Sequence, residues 1–148
     1  MAVYNHIGQV VTDLERSKRF YRDVFGFQFW YEIQPPDEAT AKLNCLDPPL
    51  GVTASYLVLD GLVLELIHYA AEGAANEFVP RTMADPGLTH LSISVDDVHA
   101  TAAKVVECGG EVIEASDIGL ALFVRDPDGQ LLELLPVTFR DRVPPKPA

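Results

Sequence analysis

The strongest constraint on the fold is an internal repeat. Two spacings occur in both halves of the chain: a histidine seven residues before an aspartate, and a glycine four residues before a glutamate. The pairs are His6–Asp13 with His90–Asp97, and Gly61–Glu65 with Gly129–Glu133. Because self-similarity in a fixed order is the sequence signature of a duplicated structural unit, we predict two copies of one supersecondary unit in tandem.

Hydrophobic periodicity predicts the same element order, βαβββ, in both copies. In each copy a β-rich segment precedes an amphipathic segment with apolar residues at spacings of three and four, and three further β-rich segments follow. The first helix is predicted to have Thr12 as its N-cap. Residues 34–51 contain two Pro-Pro pairs and are predicted to form a loop. The expected fold class is α+β, with two mixed β-sheets and their helices outside.

The predicted domain boundaries follow from these elements. The first βαβββ module spans 1–69 and the second spans 88–137. Residues 70–87, rich in small residues, proline and glycine, are predicted to be a linker. Residues 138–148 contain three prolines and no periodicity, so we expect a flexible tail.

Composition restricts the partners. The 148 residues include 22 acidic and 11 basic side chains, a formal net charge of −11. This charge argues against nucleic acid and anionic membranes, since phosphate binding needs clustered lysine and arginine. No apolar run reaches the ~18 residues of a membrane span, and two cysteines are too few for a disulfide framework. We expect a cytoplasmic protein with a small-molecule partner.

Each repeat places a histidine on its first strand and a glutamate on its last. Strand side chains alternate between faces, so both residue types should lie opposite the apolar, helix-facing side. A lone histidine or glutamate on a strand is more often structural than a ligand. Here, however, both glutamates interrupt apolar runs, LVLELI and LLELL, where an unpaired charge is costly. Because the same histidine and glutamate occur in both copies, we infer that the four side chains serve one function together.

Two sheets related by a pseudo-twofold axis would gather the four side chains in one cavity. They are His6, Glu65, His90 and Glu133. Two neutral imidazoles and two carboxylates suit one divalent metal ion such as Zn, Ni, Co, Fe or Mn. Three or four protein ligands leave positions open for water and substrate, as in a catalytic site.

Three segments resemble the vicinal oxygen chelate superfamily: HIGQVVTDLERSKRFYRDVFGF, GLTHLSISVDDV and DPDGQLLELLP. This superfamily includes glyoxalase I, methylmalonyl-CoA epimerase, extradiol dioxygenases and the fosfomycin- and bleomycin-resistance proteins. The resemblance covers about residues 3–136. It implies the glyoxalase-like fold of paired, cupped βαβββ modules, a homodimer, and a metal held by the four side chains named above.

The residue at position 65 indicates which of the superfamily's activities the resemblance implies. Glyoxalase I-like members carry glutamate at this ligand position, epimerases usually carry glutamine, and the dioxygenases use two histidines and one glutamate. We therefore predict a metal-dependent lyase or isomerase that abstracts a proton α to a carbonyl through a metal-bound enediolate. One of the two glutamates would loosen from the metal and act as the base. Glu133 is favoured and Glu65 stays open, because the sequence does not break the pseudo-symmetry.

Two positions depart from bacterial glyoxalase I. That enzyme usually has an arginine and an asparagine at these positions, and both bind glutathione. This chain has Val10 and Tyr69 instead. The departure argues against a glutathione adduct as substrate. The alternatives are an acyl-CoA epimerase, an Fe(II) ring-cleaving dioxygenase and a metal-free binding protein that sequesters a drug.

Aromatic residues on the second strand are candidates for the substrate pocket. Strict alternation places Phe29 and Tyr31 on one face, beside Tyr56. We predict that these three side chains line the pocket. Trp30, on the opposite face, is predicted to pack toward the helix.

Overall fold

The structure, a computed structural model, describes residues 1–76, 78–80 and 82–144. The chain divides into two compact units, Met1–Phe78 and Val79–Ala148. The division lies within the segment 70–87 that is predicted to be a linker, of which residues 77 and 81 lie outside the described part. None of the helices among the described residues has the length and apolar character needed to cross a bilayer.

The first unit is built on one four-stranded mixed sheet in the order β1-β4-β3-β2. Strands β1 and β4 are parallel, and the other neighbours are antiparallel. The elements are β1 (Ile7–Val10), α1 (Leu14–Phe25), β2 (Gln28–Ile33), α2 (Asp37–Asn44), β3 (Val52–Leu59) and β4 (Leu62–Tyr69).

The second unit repeats this topology. Its strands follow the order β5-β8-β7-β6, with β5 parallel to β8. The elements are β5 (Leu91–Val95), α3 (Val98–Glu107), β6 (Glu111–Val112), β7 (Leu122–Arg125) and β8 (Leu131–Pro136), with 3₁₀ turns at Glu114–Ser116 and Val137–Arg142. The tandem βαβββ fold predicted from the sequence is therefore confirmed.

The repeated aspartates begin the two long helices. The carboxylate of Asp13 accepts a hydrogen bond from the backbone nitrogen of Arg16 at 2.9 Å, and Asp97 accepts from Ala100 at 2.9 Å. Such N-caps satisfy backbone donors that a helix leaves unpaired. The prediction of Thr12 as N-cap is wrong by one residue. Its hydroxyl instead accepts a hydrogen bond from the Arg16 guanidinium.

In each unit, a buried core lies between the long helix and an inner strand of the sheet. Helix α1 contacts β4, and Leu64 and Leu66 of β4 are fully buried. In the second unit α3 contacts β8, where Leu132 and Leu134 are fully buried. Because strand side chains alternate, the glutamate between each pair of leucines lies on the other face of the sheet.

Two segments differ from the prediction. Residues 37–44 of the predicted loop form helix α2. The Asp37 carboxylate accepts hydrogen bonds from the backbone nitrogens of Leu50 and Gly51 at 2.9 and 2.8 Å, which ties α2 to the approach of β3. At the other end, Val137–Arg142 form a 3₁₀ helix where a flexible tail is predicted. Residues 145–148 of that tail lie outside the described part.

Candidate metal centre

Strands β1 and β4 bring His6 and Glu65 together. His6 directly precedes β1, and Gly8, two residues later, is paired with Glu65. Since residues two apart share a strand face, the imidazole reaches the carboxylate across Gly8. His6 Nε2 lies 3.0 Å from Glu65 Oε2. A Cβ atom at position 8 would lie 3.3 Å from Ile67 Cδ1 and in ordinary contact with Glu65 Oε2, at 3.4 Å.

Strands β5 and β8 form the corresponding pair in the second unit. His90 directly precedes β5, and Ser92 is paired with Glu133. His90 Nε2 lies 3.6 Å from Glu133 Oε2. In each unit, therefore, one imidazole nitrogen lies beside one carboxylate oxygen.

The separations within these pairs suit two ligands of one ion. Ligands ~2.1 Å from a common metal lie ~3.0 Å apart at a right angle and ~3.4 Å apart at the tetrahedral angle. The observed nitrogen–oxygen distances of 3.0 and 3.6 Å are close to these values. Imidazole nitrogen and carboxylate oxygen are also donors that divalent transition metals accept. The residues present therefore fit a divalent ion.

Each histidine is oriented by the residue before it. His6 Nδ1 lies 2.7 Å from the side-chain oxygen of Asn5, and His90 Nδ1 lies 2.8 Å from the hydroxyl oxygen of Thr89. An amide oxygen only accepts, so Nδ1 of His6 donates and Nε2 keeps its lone pair for a ligand. The sequence predictions missed both partners, although a polar residue directly before each histidine is a visible signal.

The two units differ in what holds the glutamate. Tyr56 on β3 is paired with Glu65, and Phe123 on β7 is paired with Glu133. The Tyr56 hydroxyl donates a hydrogen bond to Glu65 Oε1 at 2.5 Å, which phenylalanine cannot do. In the second unit the Ser92 hydroxyl donates to Glu133 Oε2 at 2.6 Å.

The two glutamate side chains also differ in their exposure to solvent. The Glu65 side chain is 13% exposed and the Glu133 side chain is 25% exposed. Burial, together with the hydrogen bond to Glu65, raises the pKa of the Tyr56 phenol well above its usual value. The hydroxyl therefore stays protonated and donates to the carboxylate.

The predicted pocket residues are not all on one face. Tyr31 stacks on Tyr56, with ring centroids 4.3 Å apart and planes at 12°. The pairing of β2 with β3 is irregular between Phe29 and Tyr31, and this breaks the alternation. The ring of Phe29 instead faces Lys18 on α1, and the Lys18 ammonium group lies 5.4 Å from the ring centroid. The expected shared face of Phe29 and Tyr31 is therefore not found.

Trp30 also departs from expectation. It is 60% exposed instead of packed against the helix, and its ring meets Tyr31 edge to face, with centroids 4.8 Å apart. The same strand irregularity accounts for this, because an extra residue in one strand redirects the neighbouring side chains.

Each pair would supply two ligands to a metal ion. In the described ranges, no group of three or more histidine, cysteine, aspartate or glutamate side chains is arranged to hold a metal ion. A catalytic metal needs three or four protein ligands, so neither unit alone provides a complete set. The four-ligand site remains a prediction.

Comparison with known proteins identifies clear relatives. The family model described as Glyoxalase/Bleomycin resistance protein/Dioxygenase superfamily matches residues 3–134. An ethylmalonyl-CoA/methylmalonyl-CoA epimerase of Cereibacter sphaeroides is 29% identical, over 88% of this chain and 94% of its own length. A lactoylglutathione lyase of Haemophilus influenzae is 30% identical, over 84% of this chain and 85% of its own length.

Solved structures share the fold. A glyoxalase family protein from Bacillus cereus superposes with a TM-score of 0.76 at 15% identity, covering 90% of this chain and 93% of its own. The fosfomycin resistance protein FosX of Listeria monocytogenes, in complex with Mn(II) and sulfate, has a TM-score of 0.64 at 17% identity, covering 96% and 98%.

Proposed function

Because the chain belongs to the glyoxalase/bleomycin resistance protein/dioxygenase superfamily, we propose that it is a metal-dependent lyase or isomerase that moves a proton at the carbon next to a carbonyl group. The observation that carries this proposal is the paired histidine and glutamate, built in the same way in both units. A relative named lactoylglutathione lyase supports the same class of reaction.

The proposed ligands of the metal are His6, Glu65, His90 and Glu133, supplied by one chain or by two copies in a homodimer. A bound divalent ion would act as a Lewis acid that polarises the substrate carbonyl. The residues before the histidines fix the imidazoles, with Asn5 and Thr89 each contacting Nδ1. The Nε2 atom of each ring is the proposed metal ligand.

Glu133 is the proposed base. Oε1 of Glu65 accepts a hydrogen bond from the Tyr56 hydroxyl, and Oε2 lies 3.0 Å from His6 Nε2. In Glu133 the Ser92 hydroxyl and His90 both lie at Oε2. Glu133 is more exposed, and its nearest histidine nitrogen is 3.6 Å away, compared with 3.0 Å for Glu65. A carboxylate that takes up and releases a proton must be able to move, whereas a ligand that stays on the metal benefits from being held. Glu65 is therefore proposed as the fixed carboxylate.

An epimerase is the second candidate. The Cereibacter sphaeroides relative carries that name and matches almost the whole of its own length. Epimerisation next to a carbonyl begins with the same proton removal and ends with return of the proton to the opposite face. Both candidates therefore predict that the protein exchanges the α-proton of its substrate with solvent.

Metal analysis tests the proposal. We expect about one divalent ion per chain after purification or after titration with Ni, Zn, Co, Mn and Fe(II). Binding should weaken in Glu65→Gln and Glu133→Gln. Asp117→Asn is the matched control, because it removes a carboxylate 2.9 Å from His99 outside both pairs. A protein that binds none of these ions, or that loses binding only in the control, would overturn the proposal.

A further inference from the structure

A continuous row of aromatic rings leads from the edge of the first sheet to the His6–Glu65 pair. The ring of Trp30 meets Tyr31 edge to face at 4.8 Å, and Tyr31 stacks on Tyr56 at 4.3 Å. Tyr56 donates to Glu65 and meets the His6 ring edge to face at 5.7 Å. The exposed end of the row is therefore coupled by direct contacts to the proposed metal ligands.

Exposure increases outward along this row. Tyr56 is 7% exposed, Tyr31 is 37% exposed and Trp30 is 60% exposed. An isolated exposed aromatic side chain needs no explanation. Here three aromatic side chains contact one another in sequence beside the proposed ligand pair, and the outer two are exposed.

The repeat shows that the fold does not require the aromatic row. Strand β6, which takes the place of β2 in the second sheet, consists of Glu111 and Val112 and contributes no aromatic ring. The second unit nevertheless forms the same sheet order. The row is therefore a feature added to the first unit, next to a strand irregularity of the kind that redirects side chains at functional sites.

The other end of the same sheet face is covered. Tyr69 and Ile67 alternate with Glu65 along β4 and pack against a buried cluster of Ala41, Leu50 and Val52. Asn44, at the end of α2, donates a hydrogen bond to the Tyr69 hydroxyl at 3.1 Å. The face beside Glu65 is therefore covered on the α2 side, whereas on the other side Tyr31 and Trp30 are exposed.

We propose that Trp30 and Tyr31 form a subsite for a planar aromatic or conjugated group attached next to the reacting carbon of the substrate. Aromatic rings prefer stacked or edge-to-face partners, and the row offers both kinds of surface. The Lys18 ammonium lies on the Phe29 side of the strand, so it is not placed to pair with a charged group bound against Tyr31. This inference rests on the proposed function, because it specifies the substrate class of the same site.

Trp30 is the single tryptophan of the chain, so its fluorescence reports on the subsite directly. The probes are mandelate, an aryl α-hydroxy acid, and hexahydromandelate, which has a saturated ring of similar size. Both are titrated into the protein as purified and after loading with metal. We expect mandelate to change the Trp30 emission and to bind about 3- to 10-fold more tightly than hexahydromandelate, the range that a stacked ring pair supplies.

Variants locate the effect. Tyr31→Leu should reduce this preference to about one, whereas Phe29→Leu should preserve it. Phe29 is the matched control, because it lies on the same strand and is 58% exposed. Equal binding of the two probes, or loss of the preference in Phe29→Leu alone, would overturn the subsite. So would an emission maximum that shifts to the blue with protein concentration, since a second copy would then cover Trp30.

The outcomes also separate the subsite from the proposed function. Metal binding without a preference for mandelate would overturn the subsite and leave the enzyme proposal intact. A preference for mandelate in a protein that binds no metal would support the subsite and overturn the enzyme proposal.

Discussion

Tyr56 donates a hydrogen bond to Glu65 across the β3–β4 pair, and this contact distinguishes the two halves of a duplicated chain. Phe123 occupies the same register position opposite Glu133 and also packs edge to face on its histidine. The ring is thus retained in both units, but the contacts on the carboxylate differ. Tyr56 and His6 lie at different oxygens of Glu65, whereas Ser92 and His90 both lie at Oε2 of Glu133. The difference gives a physical reason for treating one glutamate as fixed and the other as movable.

Tyr56→Phe makes the first unit resemble the second. We expect metal affinity to fall by about 10- to 100-fold, the usual cost of removing a hydrogen-bond partner of a ligand. A competition titration with a chelator measures this. Tyr4→Phe is the control, because the Tyr4 hydroxyl donates to the backbone oxygen of Val63 and not to a carboxylate. Equal affinities in both variants would show that the contact does not support metal binding.

Thr89→Val removes the hydroxyl that contacts His90 Nδ1 while preserving the shape of the side chain. The imidazole should then lose its fixed orientation, and metal affinity should again fall by about 10- to 100-fold. Thr89→Ser restores the hydroxyl and should restore most of the affinity. A serine variant as weak as the valine variant would indicate that packing, and not the hydrogen bond, is the role of Thr89.

Much of the fold and both histidine–glutamate pairs could be predicted from the sequence, because each depends on a local rule. Alternation along strands places the His6 and Glu65 side chains away from the helix, and a repeated spacing marks the duplication. The seven-residue spacing has a structural cause, since it joins the histidine of each pair to the N-cap of the following helix at Asp13 or Asp97.

The features that could not be predicted depend on non-local pairing. The irregularity beside Trp30 exists in the pairing of β2 with β3, and nothing in the sequence of β2 alone marks it. The asymmetry between Glu65 and Glu133 required the register that sets Tyr56 opposite Glu65. Helix α2 is short, and its start depends on a carboxylate that binds backbone groups thirteen and fourteen residues away.

Asp37→Ala should destabilise the first unit. The Asp37 carboxylate accepts hydrogen bonds from the Leu50 and Gly51 backbone nitrogens, and a hydrogen bond to a charged group contributes about 1.5–3 kcal/mol. We expect a loss of about 2–3 kcal/mol in the free energy of unfolding, measured by urea denaturation. Glu38→Ala, one residue further along the exposed side of α2, should change it by less than about 0.5 kcal/mol. Similar losses in the two variants would contradict this role of Asp37.

The exposed pair of His99 and Asp117 predicts a titration outside the candidate site. The hydrogen bond to Asp117 raises the pKa of His99 above its usual 6.5, and the negative charges of Asp117, Asp97 and Glu114 act in the same direction. The pKa of Asp117 is lowered, first by the backbone nitrogen of Gly119 and then by His99.

The sign of the pH effect follows from these shifts. The stabilisation through His99 is fully present below pH 6.5 and is lost as the pH rises through the higher folded-state pKa. The stabilisation through Asp117 is present above 3.8 and is lost as the pH falls through its lowered folded-state pKa. NMR titration should therefore give His99 a midpoint above 6.5 that moves down in Asp117→Asn, with His99→Gln identifying its resonance. A midpoint that does not move in Asp117→Asn would mean that the pair is not formed in solution.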